Sequence, residues 1–244
     1  MKKNVKISIL IASILSVVGF LVCAAGLFLM DFDFSKLNTQ PIVTNTHEVT
    51  EDFAHISIQT NTADVVFAVS EDDNCHVVCN ETEKLTHSVR VEGDTLVIQR
   101  EDHRKWYDHI GISIGEYSVT VYLPRFEYAN ISIETDTGDV SVGNVNVTEN
   151  VSIETDTGDV LLRAIEVGNK LTVVTDTGDV TLDRTDAASM AITTDTGDVT
   201  GTLLSEKIFF ATSDTGKVQV PKSVNGGECE ITTDTGDIII IIAD

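Results

Sequence analysis

The stretch that decides the fold is ETDTGDV, residues 134–140. Its core, Asp136-Thr137-Gly138, returns at Asp156, Asp176, Asp195, Asp214 and Asp234, in steps of 20, 20, 19, 19 and 20 residues. A fixed period of this length marks an array of like units. Aligned on the Asp, apolar residues recur five and three places before it and four and six places after it. Ile131, Ile133, Val140 and Val142 fill these places in the first copy, and Val151, Ile153, Val160 and Leu162 in the second. A spacing of two is strand spacing with one face buried. The residues between them are Ser, Thr, Glu and Asp, which suit a wet face. Each unit is therefore strand, tight turn, strand and a looser return. One such unit cannot bury its apolar face alone, but stacked units can. The predicted fold is all-β, a β-solenoid of 19–20-residue coils.

Asp-Thr-Gly is also the tripeptide that carries the catalytic carboxylate of aspartic proteases. That chemistry needs two carboxylates close enough to share a proton. Six copies at a fixed period cannot converge on one water, and their flanks are polar. The tripeptide is read as a turn, with Gly138, Gly158, Gly178, Gly197, Gly216 and Gly236 expected to supply a positive φ.

The 244-residue chain is 42% hydrophobic. Its only basic residues before Asp31 are Lys2, Lys3 and Lys6, and no acid precedes Asp31. From there on, 13 basic residues face 39 acidic ones, a net charge of −26. Such a surface repels nucleic-acid phosphate and anionic headgroups. The four cysteines give neither a disulfide framework nor a CxxC metal spacing. Cys75 and Cys79 lie about 13 Å apart along one strand, too far to bond.

Ile7 to Met30 is an uncharged, mostly apolar run, long enough as a helix to span a bilayer. The basic start predicts a cytoplasmic N-terminus and a single-pass signal-anchor at the cell membrane. The expected division is 1–30 cytoplasmic tip and anchor, 31–50 tether, 51–124 irregular N-terminal β part and 125–244 regular repeats. Within the irregular part, residues 55–67 are a degenerate copy, with Asn61 and Ala63 replacing Asp and Gly. Residues 88–100 form a hairpin around Gly93-Asp94, and an alternating strand ends at Pro124.

Leu123-Pro124, then ANISIETDTGDV and its successors, with the closing CEITTDTGDI, resemble the bacterial putative-adhesin family, a domain of unknown function with β-strand repeats. The resemblance covers about residues 50–240. It implies a surface-exposed, often membrane-anchored β-solenoid, with some relatives linked to envelope-stress regulation. It implies no ligand and carries over no site residues.

Several residues remain as candidates. Asp136, Asp156, Asp176, Asp195, Asp214 and Asp234 form a row that Ca²⁺ could bridge. Asp139, Asp159, Asp179, Asp198 and Asp237 form a second row, which Lys217 interrupts. Paired threonines such as Thr135 and Thr137 superficially match flat ice-binding rows, but they lie at a bend. Asp102, His103, Asp108 and His109 have ligand-type chemistry in what reads as an exposed loop. Trp106 and Tyr107 either contact a partner or cap the solenoid, and the cap is favoured. Ile239 and Ile241 should face outward on an uncapped terminal coil, where they invite a partner, a second copy or the membrane surface. Like residues are spread evenly, so no catalytic residue and no cofactor is expected. The function expected is adhesin-like binding of a surface polymer, glycan or protein; the alternative is a membrane-tethered envelope-stress or regulatory component acting through protein partners. The topology predicts that protease added to intact cells degrades residues 31–244. Survival of that segment until lysis would overturn it.

Overall fold

The computed structural model describes residues 3–29, 31–33, 38, 40–72, 74–106, 108, 115–124 and 127–243. They group into two compact units, Met1–Pro41 with Trp106–Ile114, and Ile42–Lys105 with Gly115–Asp244. The first contains helix α1, Lys3–Leu29. Its stretch Ile9–Leu29 has a mean hydropathy of 2.5, and by length and composition it can cross a membrane.

The second unit is all strands. Its first part comprises β1 Val43–Val49, β2 His55–Gln59, β3 Asp64–Val69, β4 Cys75–Glu81, β5 Leu85–Glu92, β6 Thr95–Asp102 and β7 Ser118–Leu123. Strand β1, which falls within the expected tether, runs antiparallel to β4. The regular part comprises β8 Glu127–Thr135, β9 Val140–Gly143, β10 Asn146–Thr157, β11 Val160–Arg163, β12 Glu166–Thr177, β13 Val180–Thr196, β14 Val199–Leu203, β15 Lys207–Thr215, β16 Val218–Gln219, β17 Gly227–Thr235 and β18 Ile238–Ile242.

Two sheets form the solenoid, and each coil gives one strand to each. In one sheet Ile133, Ile153, Val173, Ile192 and Ile231 stand in register across parallel strands. In the other, Val140, Val160, Val180, Val199 and Ile238 do the same. All ten are buried and belong to one continuous core. The first of the two 19-residue steps has a location. Gly168 and Asn169 bulge out of β12 between Val167 and Lys170, whereas β13 spans the same gap with Ala188 alone. One residue is lost from a bulge, so the register of the core strands survives.

Coils do not stack in chain order at either end. Strand β17 lies between β13 and β15, and β18 between β14 and β16. The coil of Asp234 thus sits inside that of Asp214. At the other end β2 lies between β6 and β8, and β3 between β7 and β9. This corrects the expectation of an uncapped terminal Ile coil. Ile239 is half-buried, and Ile241 is 54% exposed on a coil flanked on both sides. The outer coil is that of β15 and β16. Its inward residues Phe209, Ala211 and Val220 are only half-buried, and Phe210 and Val218 are exposed.

The glycines also act differently from expectation. Among the six Asp-Thr-Gly glycines only Gly236 has a positive φ, 155°. A Cβ on Gly158 would lie 2.2 Å from the carbonyl oxygen of Gly138, and one on Gly178 would lie 2.1 Å from that of Gly158. The glycines are there because the next coil's backbone occupies the side-chain space. Left-handed residues stand instead at the return corners of the first three regular coils: Asn144 (φ 57°), Ala164 (φ 50°) and Arg184 (φ 55°). An L-residue pays about 1–2 kcal/mol for that conformation. Two substitutions separate the effects. Gly158→Ala should destabilise the domain by about 1–3 kcal/mol through overpacking. Ala164→Gly should be neutral or stabilising by up to about 1 kcal/mol, as relief of strain offsets chain entropy. Denaturant melts that ranked the two the other way would refute the assignment.

Candidate functional site

The corner TDTGD divides its labour. Its first Thr points inward: Thr135, Thr155, Thr175, Thr194 and Thr233 are all buried. Four of these hydroxyls donate to the Gly carbonyl of the adjacent coil, Thr233 to Gly197 at 3.1 Å and Thr155 to Gly138 at 3.5 Å being the extremes. In the outer coil Ser213 takes this place and donates to Gly236. The second Thr is exposed, so the pair forms no flat row.

The Asp after the Gly serves the backbone. Asp139 Oδ1 accepts the N–H of Asp159, Asp159 that of Asp179, Asp179 that of Asp198 and Asp198 that of Asp237, at 2.7–2.8 Å. Asp64 begins the series by accepting from Asp139, and Asp237 ends it by accepting from Lys217. Lys217 therefore does not interrupt the row. It lies on the outer coil, where no further N–H needs an acceptor, and a charged residue on an edge discourages strand addition. Asp136, Asp156, Asp176, Asp195, Asp214 and Asp234 all project into solvent. Asn61 donates to Asp136. The row is a repeated acidic face of like groups.

Trp106 is 78% exposed and groups with the first unit. Tyr107 and His109 lie outside the described residues. Asp102 is held by Arg104 and Arg100. The hydrogen bond from Arg104, helped by the charge of both guanidiniums, keeps its carboxyl well below the usual range.

Unlike residues gather at two other places. The first is a groove along the return corners. A concavity of about 1170 Å³ is lined by Glu51, Asp52, Phe53, Asn74, Pro124 and Tyr128 among others. A second of about 390 Å³ follows the bulges past Thr148, Glu166, Gly168 and Asp186 to Lys207. Glu127 and Asn146 line both. Phe53 stacks on buried Tyr128 with ring centroids 5.7 Å apart. Lys207, only 3% exposed, is paired with Asp186 and Ser205.

The second is a buried polar cluster that the sequence reading missed. Glu81 Oε2 accepts the backbone N–H of His87 at 2.6 Å and faces its Nδ1 at 3.0 Å. Asn45 donates to Glu81 Oε1, and Thr60 Oγ1 lies 2.9 Å from His87 Nε2. Glu81 is 1% exposed, His87 5% and Thr60 6%. A signal was present: alternation from Cys75 through Val77 and Cys79 puts Glu81 on the core face of β4. Burial works to raise the Glu81 carboxyl, but hydrogen bonds from the His87 ring, Asn45 and the His87 backbone outweigh it and hold the group below its ordinary value. Burial pushes the Cys75, Cys79 and Cys229 thiols up to about 12, so these are neutral.

The fold and its site define a two-sheet β-solenoid that carries a lateral groove and a repeated acidic rim. A family model, Toastrack DUF4097, matches residues 53–244, and the chain belongs to that family. No curated protein matches it. Solved structures similar to it include a putative cell adhesion protein from Clostridium sporogenes, 13% identical, covering 83% of this chain and 100% of that one, with a TM-score of 0.44. A putative adhesin from Bacteroides fragilis is 16% identical and covers 82% and 97%, with a TM-score of 0.47. A putative lipid binding protein from Parabacteroides distasonis is 14% identical and covers 81% and 96%, with a TM-score of 0.41.

The lowered Glu81 pKa sets a sign. Its contribution is fully present above the unfolded-state value of about 4.3 and is lost as pH falls through the lower folded value. Glu81→Gln should destabilise the domain at neutral pH and flatten the stability profile below about pH 4. Wild-type and variant profiles of the same slope there would contradict the ionised-carboxylate assignment.

Proposed function

We propose that this chain is a membrane-anchored, outward-facing module that binds or displays and does not catalyse. In this reading α1 is the anchor, the repeats are a rigid support, and the groove along the return corners receives the ligand. The observation that carries the reading is the groove's composition. The Asp-Thr-Gly corner repeats nearly the same residues in every coil, whereas here carboxylates, amides and a paired lysine vary from coil to coil. Concave sites with a few convergent polar groups are the usual place for recognition. Alternating acceptors and amide donors such as Glu51, Asn74, Glu127 and Asn146 suit the hydroxyl or amino groups of an extended glycan. The acidic rim keeps anionic polymers away.

The test is binding of the full chain in detergent to cell-wall polysaccharides, host glycans and matrix proteins, with and without Ca²⁺. Saturable binding to one glycan class is expected, weakened at least about tenfold by Asn146→Trp, which fills the groove. Binding that survives this substitution would remove the groove from the reading. Failure to bind any polymer, with a membrane protein co-purifying instead, would overturn the adhesin-like function.

A further inference from the structure

We propose that Cys79, Glu81 and His87 form a binding site for a single divalent transition-metal ion of the zinc class. Each offers one ligand atom, and the three atoms lie within 4.8 Å of one another. All three residues are buried. Alternation along β4 points Cys79 and Glu81 to the same side, and His87 faces them from β5. A thiolate, an imidazole and a carboxylate make a donor set that zinc accepts, with a fourth position left for water or a ligand.

The surroundings already fit this role. Asn45 holds Glu81 Oε1, and Oε2, which accepts the backbone N–H of His87, is the oxygen beside the imidazole and would take the ion on its second lone pair. His87 Nδ1 now faces that oxygen at 3.0 Å, so in the metal-free state it carries the proton and Thr60 donates to Nε2. With the ion bound through Nδ1, the imidazole proton moves to Nε2. The Thr60 hydroxyl, already in place, turns from donor to acceptor. Such an outer partner fixes the tautomer of a ligating histidine. The Cys79 thiol loses its proton to solvent as the thiolate–metal bond forms. Charge then balances: carboxylate and thiolate cancel a divalent ion. The opening needed between Nδ1 and Oε2 is a few tenths of an ångström, since ligand atoms about 2.0–2.1 Å from a tetrahedral ion stand about 3.3 Å apart.

The experiment uses the full chain purified in detergent, with a chelator wash, from cells supplied with zinc or with cobalt. The wash strips ions held loosely by the exposed carboxylates. About one ion per chain should remain, and the cobalt form should show a thiolate-to-cobalt charge-transfer band and the intense visible bands of tetrahedral coordination. That spectrum needs no variant. Cys79→Ser and His87→Gln should lose the ion, while Cys23→Ser, Cys75→Ser and Cys229→Ser should keep it. Thr60→Val should weaken binding by about 10–100-fold with the spectrum intact. A wild-type chain that emerges metal-free, a cobalt spectrum without the thiolate band, or full retention by Cys79→Ser would each overturn the assignment.

Discussion

The stack depends on how closely the backbones approach at one corner of each coil. From Ala63 through Gly138, Gly158, Gly178 and Gly197 to Gly236 and Gly216, each carbonyl occupies the space in which a Cβ of the next coil would sit. Around that contact the corner satisfies itself in both directions. The inward Thr hydroxyl reaches the Gly carbonyl, and the following Asp accepts the next coil's N–H. Buried backbone groups that lack partners are costly, and a corner is where a sheet ladder would lapse. The short side chains carry the ladder round the bend. The parallel sheets on either side are thereby held in register, and the apolar columns can meet.

Much of this was legible. Period-2 alternation about each Asp gave the strands, and the 20-residue period gave the stack. The repeat's polar letters were harder to interpret. Glycine at a turn is ordinarily a sign of positive φ, and a sequence does not reveal that a neighbouring carbonyl is the reason instead. The return-corner residues that do adopt a left-handed conformation, Asn144, Ala164 and Arg184, share no side-chain type that would announce it. Coil order was hidden for a related cause. Units that present the same face to their neighbours do not say which neighbour is theirs. Only exceptions inform: Lys217 and Ser213 depart from the pattern because their coil has a partner on one side alone. Ala63 stands first in the series of carbonyls, facing Gly138.

The candidate sites were legible in inverse proportion to their repetition. The acidic rim was evident in the sequence, and the structure shows one of its two rows serving the backbone. The groove arises where bulges and return corners of separate coils line up, so no short segment contains it. The Glu81 cluster joins β1, β4, β5 and the residue that follows β2, with Asn45, Thr60, Glu81 and His87 spread over 43 positions. What could be seen locally was a carboxylate on the core face of β4, and that anomaly gains meaning only from its neighbours.

The exchange of places at the two ends bears on how the domain comes into being. In a simple spiral, each turn can be laid on the last as the polypeptide is made. Here residues 207–219 reach their final position only over a turn formed by residues 227–242, which are synthesised later. The later stretch must slot in beneath one that precedes it. Until then the growing end has a gap one turn wide, and nothing stacks permanently upon it. A chain cut short before residue 227 would lose its penultimate layer and leave its outermost layer without support. Closure of the stack therefore waits for residues 227–242.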